Sequence, residues 1–288
     1  RRLGLRLERV PPAVLPDPDA PRLDGICLDI AQQGSLDRLA WKPTARKAPT
    51  GSEVEIAVGA AGLNFRDVMW ALGLLPEEAL EDGFAGPTLG MECCGEVVRV
   101  GPQARSIKPG DRVIAFAPAC FSSHVLVSET GCVPAPEGIG DAAAATIPVA
   151  FLTSYYALIH LAGLRAGESV LIHGGAGGVG LAAIQIAKHA GATVFATAGS
   201  PEKRALLEGL GVDHVLDSRS LAFAGEVMRI TQDKGVDVVL NSLFGEAMER
   251  SLSVLRPFGR FLELGKRDFY GNTHLGLRPF RQNLSYFG

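Results

Sequence analysis

The sequence predicts an α/β chain in which a β-rich domain precedes a doubly wound parallel sheet, and three observations carry that expectation. The 288 residues exceed what one hydrophobic core usually organises, so two packed domains are the default. Short apolar runs broken by Gly-Pro and Pro-Gly-Asp turns fill the first half. Strand-like and helix-like patterns then alternate through the second half, as βαβ units do.

In chain order, residues 11–22 (PPAVLPDPDAPR) carry five prolines, which disfavour helix and central strand and read as linker or edge segment. Strands are expected at 54–58, 94–100, 112–116 and 121–127, as in an irregular β-barrel or sandwich. The apolar stretch 142–163 is interrupted by Pro148, Thr153, Ser154, two tyrosines and His160. It therefore reads as a buried interdomain helix rather than a membrane span, and no membrane partner is expected. Beyond it, strands at 169–173, 193–198, 214–217, 236–241 and 260–264 alternate with helices at 181–190, 201–210, 221–231 and 247–255. The expected division is 1–146 and 147–266, with 267–288 returning towards the first domain or the sheet edge and ending in a strand like NLSYFG. There is no internal repeat or low-complexity tract.

Lysines and arginines are scattered and the formal net charge is −3, so no stripe tracks the phosphates of a nucleic acid. Cys27, Cys93, Cys94, Cys120 and Cys132 form no CxxC pair, which spells out neither a disulfide framework nor a zinc cluster and fits a reducing cytosol. The start Arg-Arg-Leu-Gly reads as a fragment of a longer cytoplasmic polypeptide.

The strongest local signal is ESVLIHGGAGGVGLAAIQIAKHAGA, an apolar strand, a glycine turn and a helix-forming run. Gly175, Ala176, Gly177, Gly178, Val179 and Gly180 would tighten the turn, admit a pyrophosphate and pack helix on strand, while the helix N-terminus favours an anion. A plain glycine-rich connector is the alternative. A site for NAD would place an acid near the end of the second strand, and TVFATA leads instead into Gly199-Ser200-Pro201-Glu202-Lys203-Arg204. There Ser200, Lys203 and Arg204 could meet a 2′-phosphate, which favours NADPH, whereas the bland reading of the two cations is a solvated helix start.

LNFRDVMWALGLLP (63–76), LGMECCGEVVRVG (89–101), KPGDRVIAF (108–116), IPVAFLTSYYAL (147–158), the glycine loop, GVDVVLNSL (235–243) and GRFLELGKRD (259–268) stand in order along the chain. Together they resemble the medium-chain dehydrogenase/reductase superfamily and, more closely, the enoyl reductase domains of type I polyketide and fatty-acid synthases. The resemblance implies a GroES-like substrate domain, a Rossmann NADPH-binding domain and an active site in the cleft between them. Zinc members carry a Gly-His-Glu motif, but here the residues are Gly90-Met91-Glu92, and Asn64-Phe65-Arg66-Asp67 stands where a cysteine ligand would be expected, so no metal is expected.

The implied reaction is conjugate reduction of an enoyl thioester tethered to an acyl carrier protein, among neighbouring synthase domains, with the oligomeric state left open. The resemblance implies Lys266 as proton donor or part of the proton path. It places Asn64 near the nicotinamide or substrate carbonyl, Thr153 near the nicotinamide ring, and Asn241, Ser242 and Gly265 along the cofactor. Asn64 could equally cap a turn, since Asn-x-x-Asp starts helices well, and Lys266 could be a surface lysine at a strand end. Met69 to Pro76 holds no tyrosine of the kind associated with one α-methyl configuration, which implies the opposite one. The resemblance places an acidic partner for Lys266 in residues that follow a strand like NLSYFG (283–288), so that acid is not assigned. A free-standing zinc-independent quinone oxidoreductase and a non-catalytic nucleotide-binding module remain alternatives.

Overall fold

The computed structural model describes residues 24–81 and 83–288, and the proline-rich 11–22 stretch lies outside them. The described chain opens with an antiparallel hairpin that was not anticipated, β1 (Gly25–Ile30) and β2 (Leu39–Thr44). β1 is mostly half-buried, while β2 mostly faces solvent and contains Pro43, so neither shows the clean alternation that marks a strand with one covered face.

β3 (Glu53–Ala61), β4 (Glu92–Val100), β5 (Arg112–Phe116), β6 (His124–Ser128) and β7 (Cys132–Pro134) form an antiparallel sheet in the spatial order β6-β3-β4-β5-β7. Alternation along β3 sends Val54 and Ile56 into a core shared with Cys93, Val97, Val113 and Val125. Glu55, between them, faces the other way and is held by Arg46 at 2.8 Å and Arg99 at 2.5 Å. Those two guanidinium groups hold its carboxyl at about 2 against the opposing cost of burial. Helices α1 (Phe65–Ala71) and α2 (Glu78–Glu81) occupy the β3–β4 connection.

The long apolar segment becomes α3 (Asp141–Ala144), then α4 (Pro148–Tyr155), continued as a π-helical stretch over Tyr156–Leu161. The expectation of a buried helix is corrected here. Ser154, Ala157 and Leu158 are buried, but Leu152, Tyr155 and Tyr156 are more than half exposed. One side of the helix packs on the protein, and the sequence supplies no polar face for the other.

The second domain is a six-stranded parallel sheet. Its members are β8 (Ser169–Ile172), β9 (Thr193–Ala198), β10 (His214–Asp217), β11 (Val236–Asn241), β12 (Leu255–Glu263) and β13 (Ser285–Phe287), ordered β10-β9-β8-β11-β12-β13. The crossovers are α5 (Gly178–His189), α6 (Pro201–Gly209), α7 (Ala222–Ile230) and α8 (Glu246–Ser253), with α9 (Arg267–Tyr270) following β12. Central β11 is buried at all six positions, as a strand covered on both faces should be, with Asp237 and Asn241 as its two buried polar residues. Val170, Ile172, Val238 and Leu240 meet α5 and α6 on one face, while Leu171, Val239 and Phe261 meet α7 and α8 on the other. The strand order reverses between β8 and β11, and the crevice at their carboxyl ends is where such a sheet receives a ligand.

Candidate active site

The glycine turn leaves β8 at that switch point. Gly174 takes φ +63°, Gly175 N–H donates to Thr197 O at 2.9 Å, and Gly177 N–H donates back to Gly174 O at 2.8 Å. Closeness explains the glycines: a methyl on Gly180 would run into Gly174 O and lie 2.7 Å from Gly175 O, and one on Gly175 would lie 2.9 Å from the Ala196 side chain. Nothing lies within 4 Å of the corresponding position on Gly178, and no side chain caps the first turn of α5. The result is a backbone-lined cradle open at a helix N-terminus, which fits the pyrophosphate of a dinucleotide.

His173 supports this turn from below. It is 4% exposed, with Nδ1 3.2 Å from Thr197 Oγ1 and Nε2 2.8 Å from Ser251 Oγ. Ser251 spends its own proton on Ala247 O, so His173 must donate through Nε2 and accept at Nδ1. Burial holds the imidazole neutral, with its pKa lowered to about 3.

At the end of β9, Ser200 caps α6 by accepting from Lys203 N–H at 3.3 Å, and the Lys203 side chain is exposed. Arg204 does not join them. Its guanidinium donates to Ala198 O at 3.2 Å and pairs with Asp217 at 3.3 Å. Arg219, which sequence reasoning missed, sits beside Ser200's neighbour instead, donating to Gly199 O at 3.3 Å and lying 2.7 Å from where a Gly199 methyl would sit. The available signal was topological, because in a β10-β9-β8 order the loops after β9 and β10 are neighbours. Glu202 also faces Ser200, whose hydroxyl is the main group holding its carboxyl below the usual range.

Asn241 ends β11 fully buried. Its Nδ2 donates to Leu243 O at 2.7 Å and to Glu263 Oε2 at 2.6 Å, while Oδ1 has no partner among the described residues. Ser242 faces the glycine turn, with Oγ 3.7 Å from a methyl built on Gly174. Glu263, also missed, accepts from Gly265 N–H at 2.6 Å, and burial above all pushes its carboxyl up to about 7. Its signal was a single acid inside the apolar strand FLELG. Lys266 follows at the start of α9, exposed, with its ammonium 5.1 Å above the Phe269 ring.

Across the cleft, Asn64 stands at the N-terminus of α1. Its backbone N–H donates to Asp67 Oδ2 at 2.9 Å, and Asp67 Oδ1 accepts from Gly90 N–H at 2.9 Å. The capping reading therefore holds, since the Asn64 side chain closes a capping box with Asp67, and its Nδ2 also donates to Glu92 Oε1 at 2.9 Å. Glu92, 3% exposed, uses Oε2 to accept from Val149 N–H in α4 at 2.8 Å. Thr153 sits half-buried one turn further along α4, and its neighbour Ser154 has Oγ 3.1 Å from Val179 O in α5. A chain of short contacts thus joins Asn64 to the helix that opens the nucleotide cradle.

These residues do not fit zinc. Both oxygens of Glu92 are taken by N–H donors, a thioether stands at Met91, and no cluster of three His, Cys, Asp or Glu occurs among the described residues. A groove of about 550 Å³ between α4 and α5, lined by Phe151, Tyr155, Ile159, Ile186 and His189, lies towards the far end of α5 from this chemistry.

Residues 50–150 match the alcohol dehydrogenase GroES-like domain family, and residues 178–288 match the family described as zinc-binding dehydrogenase. The chain is 46% identical over 259 residues to a phenolphthiocerol/phthiocerol polyketide synthase of Mycobacterium tuberculosis, covering 90% of this chain and 12% of the synthase. It is 44% identical over 266 residues to a reducing polyketide synthase of Gibberella fujikuroi, covering 91% and 11%. The chain therefore spans only about an eighth of the length of these synthases. Among solved structures, the CurK enoyl reductase superposes with a TM-score of 0.84 at 44% identity, over 91% of this chain and 80% of that one. The chain belongs to the medium-chain dehydrogenase/reductase oxidoreductases, among the enoyl reductase domains of polyketide synthases.

Proposed function

We propose that the chain reduces the α,β double bond of an enoyl thioester carried on an acyl carrier protein, that it uses NADPH, and that it works beside other synthase domains in the cytoplasm. The observation that carries this reading is the cleft itself. A dinucleotide cradle on the Rossmann side is joined through Glu92 and α4 to an amide donor, Asn64, where metal-dependent relatives would need ligands.

The cradle of Gly175, Ala176, Gly177, Gly178, Val179 and Gly180 would hold the pyrophosphate. Ser200, Lys203 and Arg219 would hold a 2′-phosphate, with Glu202 releasing the Ser200 hydroxyl. Thr153, Asn241, Ser242 and Gly265 would border the nicotinamide end. Bound there, NADPH supplies the hydride equivalent that Cβ of the substrate accepts.

On the protein's side, Asn64 donates its remaining Nδ2 proton to the thioester oxygen, which stabilises the negative charge that gathers there as the double bond is reduced. Lys266 supplies the proton that Cα takes up, its ammonium lodged on the Phe269 face at the sheet's carboxyl edge. No metal takes part.

The test is NADPH oxidation with a panel of crotonyl-type thioesters and with quinones, in the wild type and in Lys266→Ala. Turnover of thioesters but not quinones, and a fall of about 100-fold in the variant, is expected. Quinone turnover alone overturns the substrate, and undiminished turnover in the variant removes Lys266 from the chemistry.

A further inference from the structure

We infer that Glu92 is a positioning residue for the reaction, acting through Asn64. The reasoning rests on the reading of Asn64 as donor to the thioester oxygen. A carboxylate can only accept, so contact at 2.9 Å fixes which end of the Asn64 amide faces Glu92 and leaves the second Nδ2 proton directed elsewhere. The other carboxylate oxygen is tied to Val149 N–H at 2.8 Å, in the first turn of the helix that carries Thr153. One side chain therefore sets both the donor from the substrate domain and the helix that borders the cofactor.

Glu92 has no freedom to do otherwise. It is 3% exposed, and Gly62 passes so close that a methyl there would lie 2.6 Å from Glu92 Cγ. Gly62 N–H also donates to Glu92 O at 3.1 Å, which fixes the backbone of the same residue. A carboxylate desolvated to this degree is costly unless its acceptors are used, and both are.

Glu92→Gln keeps the shape but exchanges an acceptor for an N–H₂ group. With its oxygen kept for Val149 N–H, the glutamine amide donates to Asn64 Oδ1 and turns the asparagine over. The measurement is a double-mutant cycle of Asn64→Ala, Glu92→Gln and the double variant, reading kcat and KM for a crotonyl thioester together with the Kd for NADPH. Each single variant is expected to lose at least about tenfold in kcat, in line with loss of one oxyanion donor. KM and the NADPH Kd are expected to stay within about twofold, and the double variant to be no slower than Asn64→Ala.

If Asn64→Ala loses kcat and Glu92→Gln does not, Glu92 is not a positioning residue. Factors that multiply in the double variant make it an independent strut and overturn the inference equally. If neither single variant loses kcat, the reading of Asn64 itself fails. Should the glutamine variant not fold, Glu92→Asp, which keeps the charge and cannot span both donors, carries the same cycle with the same outcomes.

Discussion

His173 makes folding of the parallel-sheet domain sensitive to acid, and the size of the effect follows from its surroundings. Its pKa is lowered from 6.5 to about 3 because the ring is buried, with its two nitrogens already engaged by Thr197 and Ser251. The unfolded chain takes up this proton near the ordinary value and the folded chain does not, so the contribution to stability is complete above about pH 6.5 and is lost as pH falls towards about 3. Each unit of pH inside that window costs about 1.4 kcal/mol, which gives about 2 kcal/mol between about pH 7 and about pH 5. His173→Gln keeps a donor and an acceptor but has no proton to gain. Urea unfolding of wild type and variant across that range isolates the contribution, because every other titrating group is common to both. The wild type is expected to lose about 2 kcal/mol more than the variant, and parallel pH slopes refute the reasoning.

Arg219→Glu is expected to raise the Kd for NADPH at least about tenfold while leaving that for NADH within about twofold, since only the phosphorylated coenzyme meets the guanidinium; equal losses for both would remove Arg219 from the phosphate site. Gly180→Ala forces a methyl against the backbone of Gly174 and Gly175 and is expected to cost about 1–3 kcal/mol. Gly178→Ala meets nothing within 4 Å and should leave the melting temperature unchanged, so equal thermal stability of the two variants would contradict the close approach. Glu263 runs opposite to His173. Its pKa is raised from 4.5 to about 7, so its contribution is complete below about pH 4.5 and is lost as pH rises through about 7. Glu263→Gln should abolish a pH-dependent loss of about 3 kcal/mol, and an unchanged slope in unfolding experiments would exclude the effect.

Most of the architecture was legible because it rests on periodicity. The alternation of strands and helices from β8 to β12, with VDVVLN among the strands, specified parallel topology together with the place where a ligand enters. The glycine turn was legible for a related reason, since strand, turn and helix each had their own pattern. The β1–β2 hairpin was not, because its strands bury too little to alternate. The half-exposed α4 was misread because hydropathy reports composition and says nothing of whether a partner covers the face. Arg204 and Arg219 show the same gap in the site. Adjacency in sequence favoured Arg204, but its guanidinium reaches Ala198 O and Asp217, while the residue beside Gly199 comes from the next strand's loop.

The two carboxylates that sequence reasoning passed over have the same construction on opposite sides of the cleft. Glu92 accepts from the Asn64 side chain and the Val149 backbone, and Glu263 accepts from the Asn241 side chain and the Gly265 backbone. Burial raises the pKa of both, so each would rather be neutral, and N–H donors favour the charged form against that penalty. Such a group is a poor source of stability, since desolvation consumes much of what the hydrogen bonds return. What Glu92 does supply is direction, because an ionised carboxylate only accepts and so orients an amide that could otherwise lie either way round. In the proposed reaction Asn64 presents a proton to the substrate, and orientation is the property that role depends on. It is carried by glutamates whose partners are distant along the chain, 28 and 22 residues away for the asparagine side chains and 57 residues away for the Val149 contact.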